Sequence, residues 1–225
     1  MPQAVIFDLD GCLVDSEPLS IGAIAEEIRD MGVTDVTYDY IRDRFLGVSM
    51  QVICQHVAEQ TGKACAEDFV DRVETRLFAR YATDLRQING AVAMLDDLKA
   101  QGIPVAIATG GSIRRMHETL RISGLAPYCI GTAFSAEQVA HGKPAPDLFL
   151  FAAREMGVDP AACVVMEDSP HGVQGARAAG MRAVGFVGGS HLAPMRDSHR
   201  DLLRSKGAGT VCQTIPETLT ALTLE

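Results

Sequence analysis

Short apolar runs alternate along much of the chain with longer segments in which apolar residues recur every three or four positions. The short runs are continuous, which is typical of strands covered on both faces of a sheet. They predict strands at Ala4–Leu9, Pro104–Thr109, Cys129–Phe134, Cys163–Glu167, Ala183–Val187 and Thr210–Cys212. The longer segments predict helices at Ala91–Ala100, Ile113–Ile122, Pro146–Met156 and Gly172–Ala179, several of them followed by glycine. Alternating strands and helices predict an α/β fold with a doubly wound parallel sheet.

One part of the chain lacks strand-like runs. Between residues 16 and 86 the pattern is helical, with predicted helices at Leu19–Met31, Met50–Gln60 and Glu67–Tyr81. A segment of roughly 70 residues has the size of a small helical domain. We therefore predict an α/β catalytic core of residues 1–15 and 87–225, with an all-helical cap domain of residues 16–86 inserted after the first strand. An insertion there can cover a ligand site as a lid.

Composition and charge exclude several classes of function. The 225-residue chain has a formal net charge of −9, whereas nucleic-acid or anionic-membrane binding needs clustered Lys and Arg. Its apolar runs are shorter than the roughly 18 residues of a membrane helix, and its first residues do not resemble a signal peptide. The six cysteines form no CxxC pair and are typical of reduced thiols. We expect a cytoplasmic protein and favour a monomer, although no sequence feature indicates the oligomeric state.

The first predicted strand ends in two acidic residues. Asp8 and Asp10 in the run AVIFDLD have the spacing that places both side chains on one side of an extended chain. Neighbouring carboxylates repel each other, so they need a cation, and they can divide the roles of nucleophile and general acid. Two acids of a simple turn would explain the pair equally well. The remaining motifs must therefore decide its meaning.

Three later segments place polar groups at the ends of strands. The TGGS run offers backbone N–H groups to phosphate oxygens, although Ser112 could simply cap a helix. Lys143 in HGKPAPD lies on a loop stiffened by prolines and would give phosphate a fixed positive charge, although many loop lysines are only solvated. Glu167 and Asp168 supply oxygen donors that suit Mg²⁺. Because parallel strands end at one edge of a sheet, we expect these groups to lie together.

These motifs, in this order, resemble the signature of the haloacid dehalogenase superfamily. The matching residues are DLDGCLVDSEP, then Thr109, then Lys143 within GKPAPD, then EDSPHG, and the similarity extends from Val5 to about Gly189. The pattern is most similar to the branch with a small helical cap, which includes β-phosphoglucomutase and many sugar-phosphate phosphatases.

The resemblance implies a role for each motif residue. Asp8 would attack phosphorus and become an aspartyl-phosphate, while Asp10 would protonate the leaving oxygen and later activate water. The phosphoryl oxygens would be held by Thr109, the Gly110 N–H and Lys143. Mg²⁺ would be the cofactor, with ligands from Asp8, Asp10, Glu167 and Asp168. In the cap, Gly47 and Ser49 match the family's loop that faces the active site and would contact the substrate. Glu17 would either contact a substrate hydroxyl or simply begin the first cap helix.

Two residues depart from the family pattern. Cys12 replaces the usual Thr or Val at similar size, which indicates neutral packing. Met50 stands where the mutase carries an arginine for a second phosphate, so a phosphatase of a small phosphorylated metabolite, a sugar or sugar-acid phosphate, is favoured. The alternatives are a phosphohexomutase of the same fold, a phosphoryl-accepting signalling receiver and a non-catalytic binding protein. A receiver would carry its phosphorylated aspartate after the third strand.

Overall fold

A parallel sheet forms the centre of the fold. The computed structural model describes residues 1–45, 50–62 and 64–224. The strands found in them are β1 (Ala4–Phe7), β2 (Val105–Thr109), β3 (Ala133–Ser135), β4 (Cys163–Glu167), β5 (Arg182–Phe186) and β6 (Thr210–Cys212). All neighbouring pairs are parallel, and the order is β3-β2-β1-β4-β5-β6. The predicted α/β class with a doubly wound parallel sheet is confirmed.

The central strands explain the continuous apolar runs of the sequence. Every residue of β1 and β4 is buried, so neither strand alternates between a core face and a solvent face. Val5 pairs with Val105 of β2 on one side and with Val164 of β4 on the other. The residues that follow β1 and β4 consequently leave the sheet next to each other at its carboxyl edge.

Helices make up most of the remaining chain. Those in the described residues are α1 (Glu17–Asp30), α2 (Tyr38–Phe45), α3 (Met50–Thr61), α4 (Phe69–Asp84), α5 (Ala91–Ala100), α6 (Ile113–Ser123), α7 (Asp147–Met156), α8 (Pro170–Ala178), α9 (Arg196–Ser205) and α10 (Ile215–Thr223). Within this part of the chain, no helix is both long enough and apolar enough to span a membrane.

Some elements differ from the sequence-based prediction. The third strand is Ala133–Ser135 instead of Cys129–Phe134, because Gly131 turns the chain with a φ of +75° and Ile130 is 84% exposed. The helices α2, α9 and α10 were not predicted. The helix α2 buries only Ile41, and the buried residues of α9 are His199 and Leu203, so the apolar periodicity of both is sparse.

The chain divides into two compact units. One consists of Met1–Asp15 and Arg86–Glu225 and contains the sheet, and the other consists of Ser16–Leu85 and contains α1 to α4. The function of the helical unit as a cap remains a prediction.

A charged contact joins α1 to α4 inside the helical unit. Glu27 of α1 is 1% exposed, and its carboxylate lies 2.8 Å from Arg72 Nε and 2.7 Å from Arg76 Nε. Arg80 pairs with Glu26 at 2.5 Å. A buried carboxylate requires such partners because its desolvation is otherwise uncompensated. The three arginines of α4 therefore stabilise the packing of two helices.

Candidate active site

Four acidic residues lie at the carboxyl edge of the two central strands. Asp8 and Asp10 follow β1, Glu167 ends β4, and Asp168 follows it. The strand order changes direction here, since β2 and β3 lie on one side of β1 and β4 to β6 on the other. Ligands bind in the crevice outside such a switch point. All four side chains belong to buried residues, with exposed fractions from 1% to 8%.

Lys143 connects the ends of the two strands. Its Nζ donates hydrogen bonds to Asp8 Oδ1 at 2.6 Å and to Glu167 Oε2 at 2.7 Å. The lysine side chain is 8% exposed, so both ion pairs are shielded from water. Hydrogen bonds between charged partners are strong in such surroundings. The loop before α7 is thereby tied to both β1 and β4.

The pKa values of this cluster reflect burial and shared charge. Burial raises the pKa of the Asp8 carboxyl well above its usual range, although the Lys143 charge opposes the shift. The pKa of Glu167 is raised for the same reason and is likewise opposed by Lys143. Burial alone would lower the pKa of Lys143, but Asp8 and Glu167 more than offset this and raise it. The two neighbouring carboxyl groups therefore favour the charged form of Lys143.

Glu167 is held under the first turn of α8. Its Oε1 accepts hydrogen bonds from the Ser169 hydroxyl at 2.8 Å and the Ser169 N–H at 3.2 Å. A Cβ added to Gly172 would lie 2.0 Å from the Glu167 carboxyl carbon, which is closer than atoms can approach. The glycine of the EDSPHG motif therefore makes room for the Glu167 carboxylate.

Asp168 lies between a glycine turn and two buried histidines. A Cβ on Gly11, whose φ is +80°, would lie 2.1 Å from Asp168 Oδ2. His191 Nε2 lies 3.1 Å from the same oxygen, and His199 Nε2 donates to the Asp168 carbonyl at 2.7 Å. The hydrogen bond from His199 fixes the Asp168 carbonyl, and the close packing of Gly11 and His191 confines the Asp168 carboxylate.

The donor set fits a magnesium ion. Ligand atoms of Asp8, Asp168 and Cys12 lie within 4.8 Å of one another, and carboxylate oxygens are the donors that Mg²⁺ prefers. Cys12 does not suit this ion, because its sulfur is a soft donor and burial raises the pKa of its thiol. In the described part of the chain, four carboxyl groups lie beside two basic side chains, Lys143 and Arg115, so full ionisation of the acids would leave two formal negative charges. A divalent cation would neutralise them.

Asp10 has a separate set of partners. Its Oδ1 accepts a hydrogen bond from Arg115 Nη2 at 2.8 Å, and its Oδ2 accepts one from the Thr109 hydroxyl at 3.3 Å. Thr109 ends β2, is 1% exposed, and accepts from the Gly111 N–H at 3.1 Å. Gly110 lies between them and is exposed. The TGGS segment therefore contacts Asp10 directly through Thr109.

The predicted residues fall into two groups. Those that the structure brings together in the sheet unit are Asp8, Asp10, Thr109, Lys143, Glu167 and Asp168. Glu17 is the first residue of α1 in the helical unit, whereas Gly47 and Ser49 lie outside the described residues. The catalytic and ligand roles of all these residues remain predictions.

Sequence reasoning did not find several contributors to the site. They are Arg115, Ser169, Gly172, His191 and His199. Ser169 and Gly172 belong to a motif that was recognised, and their positions next to Glu167 could have drawn attention to them. The histidines are far from Asp168 along the chain, so their contact is visible only in the fold.

A family model described as haloacid dehalogenase-like hydrolase matches residues 2–180 of the chain. Hexitol phosphatase A of Escherichia coli K12 is 36% identical over 187 residues, which cover 81% of this chain and 82% of the relative. The 6-phosphogluconate phosphatase of the same organism is 29% identical over 194 residues, 86% of each protein.

A similar solved structure is a hydrolase of this family from Deinococcus radiodurans R1 that contains bound phosphate and sodium. It is 32% identical, has a TM-score of 0.75, and aligns over 99% of this chain and 98% of the other. The chain is also 32% identical over 208 residues to Protein SUPPRESSOR OF QUENCHING 1, chloroplastic, of Arabidopsis thaliana. This match covers 90% of the present chain but only 19% of the relative.

The raised pKa of Asp8 leads to a prediction about stability. A carboxyl whose folded pKa exceeds its unfolded value binds more protons in the folded state, so stability falls as pH rises between the two values. Asp8→Asn removes this loss of stability at high pH, because the amide does not ionise, and Lys143 still has Glu167 as a partner. We expect the metal-free variant to have a higher melting temperature than the wild type at about pH 8. Each kcal/mol gained in the free energy of unfolding should raise the melting temperature by about 2–4 °C, and the difference should shrink at about pH 4.

Thermal melts in the presence of a chelator measure this effect. Asp97→Asn is the matched control, because it removes an equal charge from an exposed position of α5 and should leave the melting temperature unchanged. A melting temperature of Asp8→Asn at or below that of the wild type at the higher pH would contradict the prediction.

Proposed function

This chain belongs to the haloacid dehalogenase-like hydrolase family, and we propose on that basis that it is a Mg²⁺-dependent phosphatase. Its proposed substrate is a small phosphate monoester, a sugar or sugar-acid phosphate, as the names of two relatives suggest. The observation that carries the proposal is the buried lysine bridge between Asp8 and Glu167, next to Asp168. Cytoplasmic location and a monomeric state remain predictions from the sequence.

In the first proposed step, a carboxylate oxygen of Asp8 attacks phosphorus and the bond from phosphorus to the leaving oxygen breaks. Lys143 donates to Asp8 Oδ1, which orients the carboxylate, and it would also offer a positive charge to the phosphoryl group. The phosphoryl oxygens would further contact Thr109 and the Gly110 N–H. Bound Mg²⁺ would supply charge neutralisation and alignment. Asp8 and Asp168 would hold it with the Asp10 carbonyl, and Glu167 directly or through water.

Asp10 moves the proton in both steps of the proposed reaction. As an acid it protonates the leaving oxygen, which departs as an alcohol, and the products of this step are that alcohol and an aspartyl-phosphate on Asp8. As a base it then removes a proton from the water that attacks phosphorus. Inorganic phosphate leaves, and the Asp8 carboxylate is restored. Splitting the hydrolysis into two steps lowers the barrier of each.

The helical unit favours hydrolysis over transfer to a second sugar oxygen. Met50 opens α3 at the position where the mutase carries an arginine. Arg76 is held by Glu27 and Asp30, and Arg44 stacks 5.1 Å from the Tyr40 ring and donates to its hydroxyl at 3.1 Å. Both arginines that could substitute are therefore engaged by other residues. Glu17, Gly47 and Ser49 are proposed to contact the substrate.

Loss of the nucleophile is the first test of the mechanism. We expect Asp8→Asn to remain folded and to lower turnover by about three orders of magnitude or more, because an amide does not accept the phosphoryl group. Acyl phosphate should be trapped on Asp8 of the wild type and be missing from the variant. Near wild-type turnover, or acyl phosphate on another residue, would refute the assignment.

Magnesium dependence is the second test. Exhaustive chelation should abolish phosphate release, and Asp168→Ala should weaken Mg²⁺ binding about 100-fold or more, which titration calorimetry measures independently of activity. Ca²⁺ should inhibit, because its longer bonds and higher coordination number misplace the nucleophile. Asp97→Ala, on the exposed face of α5, serves as the control. Full activity after chelation, or unchanged Mg²⁺ affinity in Asp168→Ala, would contradict this assignment.

A comparison of phosphatase and mutase activities is the third test. A charged hydrogen bond from an arginine to a second phosphate contributes about 1.5–3 kcal/mol, or about ten- to a hundredfold in affinity, and Met50 offers none. We therefore expect a panel of sugar and sugar-acid monophosphates to release inorganic phosphate without a bisphosphate activator. The control is β-glucose 1-phosphate with a trace of glucose 1,6-bisphosphate. Conversion to glucose 6-phosphate much faster than phosphate release would show a mutase.

A further inference from the structure

Arg115 contacts the second acid of the site from outside the recognised motifs. Its Nη2 lies 2.8 Å from Asp10 Oδ1, and the two side chains are 15% and 10% exposed. Water therefore screens the pair only weakly, and a charged hydrogen bond in such a place holds both groups firmly. The site thus uses two cations for different acids, Lys143 for Asp8 and Glu167, and Arg115 for Asp10.

The arginine is itself fixed by the segment that follows β2. Arg115 lies in the first turn of α6, and its N–H donates to the capping hydroxyl of Ser112 at 2.9 Å. Its side chain runs along Gly111, where an added Cβ would lie 3.2 Å from Arg115 Cδ. The second oxygen of Asp10 meets Thr109, the last residue of β2. One short segment of chain therefore holds both carboxylate oxygens.

We propose that Arg115 is the positioning residue of Asp10, a role that rests on the proposed phosphatase function. With Arg115 on one oxygen and Thr109 on the other, rotation of the Asp10 carboxylate about its side-chain bonds is restricted. The carboxylate then stays where it can exchange a proton with the leaving oxygen or with water. Loss of the guanidinium frees it to adopt other rotamers, and misplacement by about 1 Å can reduce a rate about 100-fold.

A direct contact between Arg115 and the substrate is the competing role. In that case Arg115 would act independently of Asp10, its removal would chiefly raise KM, and the loss would persist when Asp10 is already altered. A positioning residue should instead lower kcat with little change in KM. Its effect should also disappear in an Asp10→Asn background, because an altered acid gains nothing from being held in place.

The test is a double-mutant cycle on the magnesium-loaded protein with two substrates. One substrate is an alkyl phosphate whose leaving group needs a proton, and the other is nitrophenyl phosphate, whose leaving group needs little. We expect Arg115→Met to reduce kcat about 10- to 100-fold on the alkyl phosphate and less on nitrophenyl phosphate, which is the pattern expected of Asp10→Asn as well. Arg115→Lys should recover part of the rate, and Arg115→Met should add no loss to Asp10→Asn.

Arg114→Met is the matched control, since it removes an equal charge from the exposed neighbour on α6 and should leave both rates unchanged. Independent losses in the double variant, a change confined to KM, or equal losses on both substrates would overturn the proposal. If Arg115→Met does not fold, Arg115→Lys takes its place in the test. Unaltered kinetics in the folded lysine variant, or equal losses on both substrates, would then overturn the proposal. Phosphate release by the wild type that depends on Asp8 separates failure of this inference from failure of the proposed function.

Discussion

The pairing of the buried Lys143 ammonium group with two carboxylates is the interaction on which the carboxyl edge of the sheet depends. Asp8 directly follows β1 and Glu167 ends the neighbouring β4, so strand pairing brings their carboxylates together, and burial deprives both of the water that would otherwise stabilise their charge. A cation within 2.6 Å of one and 2.7 Å of the other makes that arrangement tolerable. Since Lys143 comes from the loop before α7, three separate parts of the chain meet at one nitrogen. The geometry of the proposed nucleophile therefore follows from the packing of the whole sheet unit.

The two acids that follow β1 have different partners, and these would suit them to the different roles proposed for them. Asp8 faces Lys143 and Asp168, which fits a nucleophile aligned with a metal ion. Asp10 faces Arg115 and Thr109, at the start of α6, which fits a proton carrier approached from another side. Because Asp10 follows Asp8 by two residues just beyond β1, both side chains can reach the crevice at the end of that strand. Ionised acids would outnumber the two cations of the site, and a divalent ion would neutralise the negative charge that remains.

The fold class and the meeting of the acidic residues could be predicted because both depend on short-range rules. Buried parallel strands have continuous apolar runs, and their carboxyl ends share an edge. The third strand was misplaced because apolar Cys129 and Ile130 continue a run that Gly131 interrupts. Arg115 could not be distinguished from Arg114 without knowing which face of α6 meets the site. His191 could not be found either, since its contact with Asp168 depends on the path of the chain after β5.

The glycines of the two acidic motifs have a common physical cause. At Gly11 an added Cβ would overlap Asp168 Oδ2, and at Gly172 it would overlap the Glu167 carboxyl. The first glycine belongs to the turn after β1, and the second belongs to the first turn of α8, after β4. Asp168 therefore occupies the space that a side chain at position 11 would need, and Glu167 occupies the space that a side chain at position 172 would need. Gly11 also has a φ of +80°, which other residues rarely adopt. The acids and the glycines therefore form one packed unit, in which the backbone has to come close for the carboxylates to be buried and still oriented.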